Sequence, residues 1–417
     1  MPVARSLETS RRSVAERPSN RFGTAAACWA LLTLASVQWL AGVLLAPPAH
    51  AAPAPADSTS PVEYLWVVRT SLLTHEDVVK AVARAKQLHV RGLLVQVVGR
   101  GDAYYTSNLL PRAEAIREAD FDPLGTLLPL AHDAGLEVHA WMNCMLVWSD
   151  PHPPQDARHV LNVHPDWVAR LKDGRRMTTL SMHERARLHV EGVFLAAGHP
   201  AVHTWLARIA AEIATHYPVD GIHLDYIRRP CAEAGWDPTT RARFALRTGI
   251  DPDRMDRLPP VERAAADSLW QEFQQEQVTE AVREVRDSLE RERPDGIVLS
   301  AAVLADSNTA RRRCAQSWGA WVRSGLLDRV YVMCYAPQVQ TVMDQLLDYE
   351  ARLGATERVV PGIAVYNTSP SIAAAKIKGA RALGYPVLAL YSYDALSKKP
   401  SYWAALRSLL EPRAPRD

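Results

Sequence analysis

Asp220-Gly221-Ile222-His223-Leu224-Asp225-Tyr226 reads as a short buried strand. Its period of two sends Ile222 and Leu224 to one face and His223 and Asp225 to the other. If helices wrap the strand, the apolar pair meets them, and His223 and Asp225 project into the centre of a closed barrel. Asp225 then stands at the strand's C-terminal end. A barrel interior is dry, so an inward carboxylate there is either paired, with Arg228 or Arg69 as partner, or opens onto a wet site. Asp220, at the opposite end, is read as structural.

The same beat recurs on both sides. Runs rich in Val, Ile, Leu and Tyr occupy 63–70, 91–98, 137–145, 220–227, 296–304, 329–335, 359–366 and 386–393. Stretches of helical period lie between them, at 75–89, 200–217, 268–292, 311–325, 341–353, 370–383 and 401–411. Thr74 is placed to cap the first helix, and Gly135, Gly325, Gly354 and Gly384 fall where C-caps belong. Eight strands, each followed by helix, predict an α/β fold, a single (β/α)8 TIM barrel over 63–411. An open doubly wound sheet is the rival, but no Gly-rich phosphate loop follows any strand. Two connections are long: 146–199 after strand 3, and 228–267 after strand 4, the latter with a short helix at 239–247. Both leave strand C-termini, where barrels build their sites.

Other strands aim candidates at the same mouth. Arg69 comes from strand 1, Gln96 and then Asp102 from strand 2, and Trp141 and Asn143 from strand 3. Tyr226 and Arg228 follow Asp225. Met333 and Tyr335 come from strand 6, Tyr366 from strand 7 and Tyr391 from strand 8, with Asp306 and Asp394 just past the ends of strands 5 and 8. The chain has 12 Trp and 13 Tyr against 5 Phe, a skew toward amphipathic rings that stack on sugar C–H faces. Carboxylates among such rings favour glycoside chemistry, in which one carboxyl protonates the leaving oxygen and a second attacks or activates water. Asp225 is the expected acid/base, with Asp306, Asp394 and Asp102 as candidates for the second carboxylate.

Composition excludes several alternatives. The 417 residues are 48% hydrophobic and 23% charged, with Lys+Arg 48 against Asp+Glu 46. Arg5, Arg11, Arg12, Arg17 and Arg21 precede residue 52, with Glu8 and Glu16, so the remainder has 43 basic and 44 acidic side chains. A chain so balanced has no general attraction to nucleic acid. No H-x-x-x-H or H-x-H ligand pair, G-x-S-x-G elbow or phosphate-binding loop occurs, so no metal and no cofactor is expected. His152, His159, His164, His183, His189 and His199 read as solvated loop residues. Cys144, Cys231, Cys314 and Cys334 form no C-x-x-C pair and are too few for a disulfide framework; Cys144 and Cys334 lie in apolar strands and read as buried thiols.

The N-terminus reads as an export signal. Thr24–Ala46 is almost wholly apolar, and Ala49-His50-Ala51 has the small-x-small pattern of a signal-peptidase site. Residues 1–51 are therefore expected to be removed, leaving a secreted or periplasmic protein without membrane insertion; an uncleaved anchor is the alternative. Residues 52–62 read as a flexible tether and 412–417 as a disordered tail.

Several segments together resemble the glycosyl hydrolase-like 10 family. They are Gly92–Val97 with Tyr105-Thr106-Ser107, Phe121–Leu124, Ala131–Trp141, Gly198-His199-Pro200, Val219–Tyr226, Trp321–Asp328 and Tyr331–Tyr335. The resemblance implies an exported bacterial barrel hydrolysing a polysaccharide, and some relatives are associated with peptidoglycan strands stripped of stem peptides. Where many relatives have D-G-I-H-x-D-D-Y, this sequence has Tyr226 in place of the second Asp, so the resemblance does not supply the second carboxylate. A substrate N-acetyl group in place of a protein nucleophile is one alternative, and a non-catalytic glycan-binding barrel is another. The oligomeric state stays open.

Overall fold

The computed structural model describes residues 62–231, 233–354 and 357–410. The expected signal, the tether except for its last residue, and the C-terminal tail lie outside them. Val62, that last residue, is fully buried.

Eight parallel strands close into one barrel: β1 (Tyr64–Val67), β2 (Gly92–Val98), β3 (Glu137–Asn143), β4 (Gly221–Asp225), β5 (Val298–Leu304), β6 (Arg329–Cys334), β7 (Val359–Ala364) and β8 (Ala389–Tyr391). Each pairs with its sequence neighbours, and β1 meets β8 through Tyr64↔Ala389 and Leu65↔Leu390 to close the ring. The outer helices are α1 (His75–Gln87), α2 (Pro123–Asp133), α3 (Pro200–His216), α4 (Pro260–Glu292), α5 (Trp318–Arg323), α6 (Val339–Leu353), α7 (Pro370–Ala382) and α8 (Pro400–Leu410). Thr74 caps α1 by accepting from the Asp77 N–H. Among the described residues no helix is long and apolar enough to cross a membrane.

Strand alternation divides the apolar side chains between two cores. Ile222, Leu224 and their counterparts pack outward against the helices. Inside, Tyr64, Trp66, Leu94, Trp141, Tyr331, Val360 and Ala389 form a separate cluster. Gly362 makes room for it, since a Cβ there would come within 2.7 Å of the Trp66 ring. At the N-terminal end Glu137 is hydrogen-bonded by His139 (3.4 Å), Tyr64 (2.7 Å) and Arg91 (2.7 Å), which together hold its carboxyl down at about 2 despite burial.

Three local expectations need correction. Residues 311–325 are not one helix: Ser307–Cys314 and Trp318–Arg323 are separated at Ala315, whose φ is +56°. There the Gln316 side chain accepts from Leu304 N–H (2.9 Å) and donates to Ala302 O, so the break seals the end of β5. Strand 8 is three residues, not eight; Tyr393 begins a short helix and packs outward. Finally, α4 starts at Pro260, eight residues early. The extension packs on the helix Pro238–Thr248 around Trp236, Phe244, Trp270 and Phe273, so part of the aromatic excess is helix-packing core away from the mouth.

Cys231 and Cys314 are disulfide-bonded, a pairing the cysteine count did not suggest. Cys144 and Cys334 are buried free thiols. The bond ties the chain after β4 to the helix after β5, and Arg229 N–H donates to Cys314 O (3.0 Å) beside it.

Candidate active site

Register sets the mouth of the barrel. Gln96 on β2 is level with Trp141 on β3, and Asn143 on β3 with Asp225 on β4. A cavity of about 650 Å³ opens above these strand ends. Arg69, Gln96, Trp141, Asn143, Asp225, Tyr226, Arg228, Met333, Tyr335, Tyr366, Tyr391 and Asp394 all line it, as their positions in the sequence predict.

Asp225 is 8% exposed, and no ion pair reaches it among the described residues. Neither expected arginine partner is engaged with it. Arg228 pairs with Glu191 (2.6 Å), and Arg69 donates to the Gln96 side-chain oxygen (2.9 Å). Burial therefore governs the carboxyl and raises it from 3.8 to about 6, against the opposing pull of the Tyr226 N–H and the Arg228 charge. The Tyr226 N–H donates to Asp225 Oδ1 at 2.6 Å, and Tyr226 itself adopts φ +50°. That left-handed conformation costs a non-glycine residue on the order of 1 kcal/mol, and such strain gathers at functional sites.

A neutral network fixes the floor. Gln96 donates to Asn143 Oδ1 (3.2 Å), Trp141 Nε1 donates to the same oxygen (3.1 Å), and Asn143 donates to Gly99 O (2.8 Å). Tyr335 and Tyr391 pack with ring centroids 5.2 Å apart, and Tyr366, 48% exposed, stands edge-on to both. Burial raises the phenols of Tyr335 and Tyr391, the latter to about 12, so both remain hydroxyl donors at ordinary pH.

Three candidates do not reach this cavity. His223 does point inward but lies one tier lower, accepting from Trp66 Nε1 (3.2 Å) and facing Ser300 Oγ (3.0 Å); burial keeps it neutral. It is core, because Asp225, two residues on, is the one that reaches the strand end. Asp306 is the N-cap of Ser307–Cys314; Thr309 occupies its oxygens and holds it below the ordinary carboxylate range. Asp102 accepts from Arg100 N–H (2.7 Å) and lines an adjoining cavity of about 490 Å³, which shares Arg69 and Arg100 with the first. The loop histidines also divide: His159 is buried and bonds Arg100 O (2.7 Å), and His164 stacks on Trp167 at 3.8 Å.

Trp66 and Glu191 are among the cavity residues that escaped the sequence reading. Trp66 shares parity with Tyr64 on β1, so alternation alone could have found it. Glu191 precedes the two-residue strand Val193–Phe194, which pairs antiparallel with Leu146–Trp148 inside the long connection after β3. No local pattern announces it. Among the described residues no group of three or more His, Cys, Asp or Glu side chains is placed to hold a metal ion.

A closed parallel barrel with a buried carboxyl that no cation pairs, set among tyrosines and tryptophans at its C-terminal mouth, is an architecture that glycosidases share with other barrel proteins. The chain belongs to the Glycosyl hydrolase-like 10 family, whose profile matches residues 62–374. It is 27% identical over 155 residues to glycosyl hydrolase DigH of Escherichia coli (strain K12), covering 34% of this chain and 31% of that protein. It is 22% identical over 183 residues to glycosyl hydrolase YngK of Bacillus subtilis (strain 168), covering 40% and 31%. These matches span about a third of each relative's length. Among solved structures, the glycoside hydrolase domain of PgaB (BpsB) from Bordetella bronchiseptica superposes with a TM-score of 0.64 at 16% identity, over 85% of this chain and 99% of that one. The α-L-fucosidase isoenzyme 2 of Paenibacillus thiaminolyticus gives 0.54 at 12% identity, over 84% and 48%. At these identities the structural likeness is one of fold.

Proposed function

We propose that this protein is an exported glycoside hydrolase that cleaves a bacterial polysaccharide, with stem-free peptidoglycan strands as the first substrate to test. Asp225 carries the reading. It is a carboxyl at the end of a barrel strand, buried without an ion pair, that keeps its proton to about pH 6. A general acid for a leaving sugar oxygen needs this property. Trp141 and the Tyr335–Tyr366–Tyr391 group offer flat faces to sugar rings, and Arg69 and Asn143 offer donors. The apolar stretch 24–46 and Ala49-His50-Ala51 support export, and so does the Cys231–Cys314 bond, since disulfides persist in oxidising compartments.

The test is reducing-end release by the purified protein from stem-free peptidoglycan, chitin and α-glucan, wild type beside Asp225→Asn. Release is expected from one of these and should fall by about a thousandfold or more in the variant. Because the acid form is the active one, kcat/KM should decline as pH rises through about 6. Equal release by the variant would remove Asp225 from the chemistry. Saturable glycan binding with no release by wild type would identify a non-catalytic glycan-binding barrel instead.

Arg69 gives a second check. Its stem lies against Gly99, where a Cβ would overlap Arg69 Cδ and Nε. Gly99→Ala should therefore swing the guanidinium away from Gln96 and raise KM by about tenfold with kcat little changed, the pattern of lost uniform binding. An unchanged KM would show that Arg69 does not touch substrate.

A further inference from the structure

We infer that Glu191 is the second catalytic carboxylate, the group that takes a proton from the attacking water while Asp225 protonates the departing oxygen. This rests on the glycosidase reading above. Among the described residues, three carboxylates line the mouth cavity: Asp225, Asp394 and Glu191. Asp394 sits in the first turn of the helix Tyr393–Ser397, and its Oδ1 is taken by the hydroxyl of Ser392. Glu191 is held differently.

Glu191 Oε1 accepts from Arg228 Nη2 at 2.6 Å, and the side chain remains 43% exposed. Oε2 has no protein partner among the described residues, so one oxygen is anchored and the other can accept from water. The anchor itself is rigid. Arg228 is only 4% exposed, with its guanidinium 4.8 Å from the Tyr226 ring centroid and 5.5 Å from that of Phe194. Phe194 in turn packs on Tyr226 at 5.9 Å. The left-handed turn at Tyr226 thus builds a platform that brings a carboxylate from the connection after β3 to the carboxyl at the end of β4.

The two groups are unlike in the way an acid and a base must be. Asp225 is buried with no cation paired to it, which favours the protonated acid; Glu191 stands half-exposed on its guanidinium anchor, with an oxygen open to water. The Glu191 charge is also one of the influences that keep the proton on Asp225. In the reaction, the bond from the anomeric carbon to the glycosidic oxygen breaks as that oxygen takes the Asp225 proton. A bond forms from the same carbon to a water oxygen, whose proton passes to Glu191. One water is consumed, Asp225 ends as carboxylate and Glu191 as acid, and exchange with solvent restores both.

The experiment compares wild type, Asp225→Asn, Glu191→Gln, Glu191→Ala and Asp394→Ala on whichever glycan wild type cleaves, measuring kcat, KM, glycan Kd and melting temperature. Glu191→Gln should lose about a thousandfold or more in kcat, with Kd within about threefold of wild type. Azide should restore part of the activity of Glu191→Ala by replacing the missing base and nucleophilic water, and should do nothing for Asp394→Ala. Glu191→Gln with kcat within about tenfold of wild type overturns the assignment while leaving the glycosidase reading intact. Azide rescue of Asp394→Ala and not of Glu191→Ala overturns it in favour of Asp394. A parallel loss of Kd and melting temperature in Glu191→Gln, without azide rescue of Glu191→Ala, would reduce Glu191 to a structural anchor for Arg228. A wild type that releases no sugar from any glycan overturns both readings together.

Discussion

Asp225→Asn should melt at a higher temperature than wild type near pH 7.5, even as its activity disappears. The carboxyl has a folded pKa of about 6 against 3.8 for an unburied aspartate. A group raised in this way contributes its stability below the unfolded value and loses it as pH rises through the folded one. Near neutrality wild type therefore holds a buried, unpaired anion at a cost of about 3 kcal/mol, from roughly two pKa units at 1.36 kcal/mol each. Asparagine matches the protonated acid in shape, and its Oδ1 can still accept the Tyr226 N–H. The variant should gain up to that amount near pH 7.5, and the gain should shrink toward zero near pH 4. Denaturant unfolding at the two pH values measures it. A variant less stable than wild type at both would mean that the protein compensates the Asp225 charge in the native state.

Removing the Cys231–Cys314 bond should give the largest loss of stability. The cysteines are 83 residues apart, and constraining a loop of that length in the unfolded chain is worth about 4.5 kcal/mol. The effect should also reach the mouth. Arg228 Nη1 lies 3.7 Å from Cys231 Sγ, so releasing the bond loosens the residue that anchors Glu191. The Cys231→Ser, Cys314→Ser double variant should lose about this stability, and wild type under reductant should match it. The double variant should then be indifferent to reductant. If it unfolds at the same denaturant concentration as oxidised wild type, the bond contributes nothing to stability.

The barrel was legible in the sequence because its signals are local and repeated. Ile222 and Leu224 against His223 and Asp225 give the strand's orientation within five residues, and the same alternation places Met333, Tyr335 and Tyr391 at the mouth. Alternation says which way a side chain points, but not how far along the strand the wet site begins. It therefore points His223 inward as readily as Asp225, although His223 belongs to the tier beneath the cavity. Asp306 failed for another reason: an aspartate just after a strand and just before a helix serves equally well as an N-cap. Glu191 and the cystine were invisible because each depends on contacts across long stretches of chain. The Glu191–Arg228 pair spans 37 residues and the cystine 83.

The two separate cores give the barrel an unequal tolerance of change. Outward strand positions such as Ile222, Leu224 and Val332 belong to the core between barrel and helices, so drift there alters chiefly how firmly the scaffold holds. The inner tier of Trp66, His223 and Tyr331 has no such freedom, since its rings interlock directly below Asp225. The connection after β3 is a third case: it delivers Glu191 from outside the barrel and is framed by a ribbon of its own. An inherited or engineered change of substrate would be written first in that connection, over a floor that stays the same.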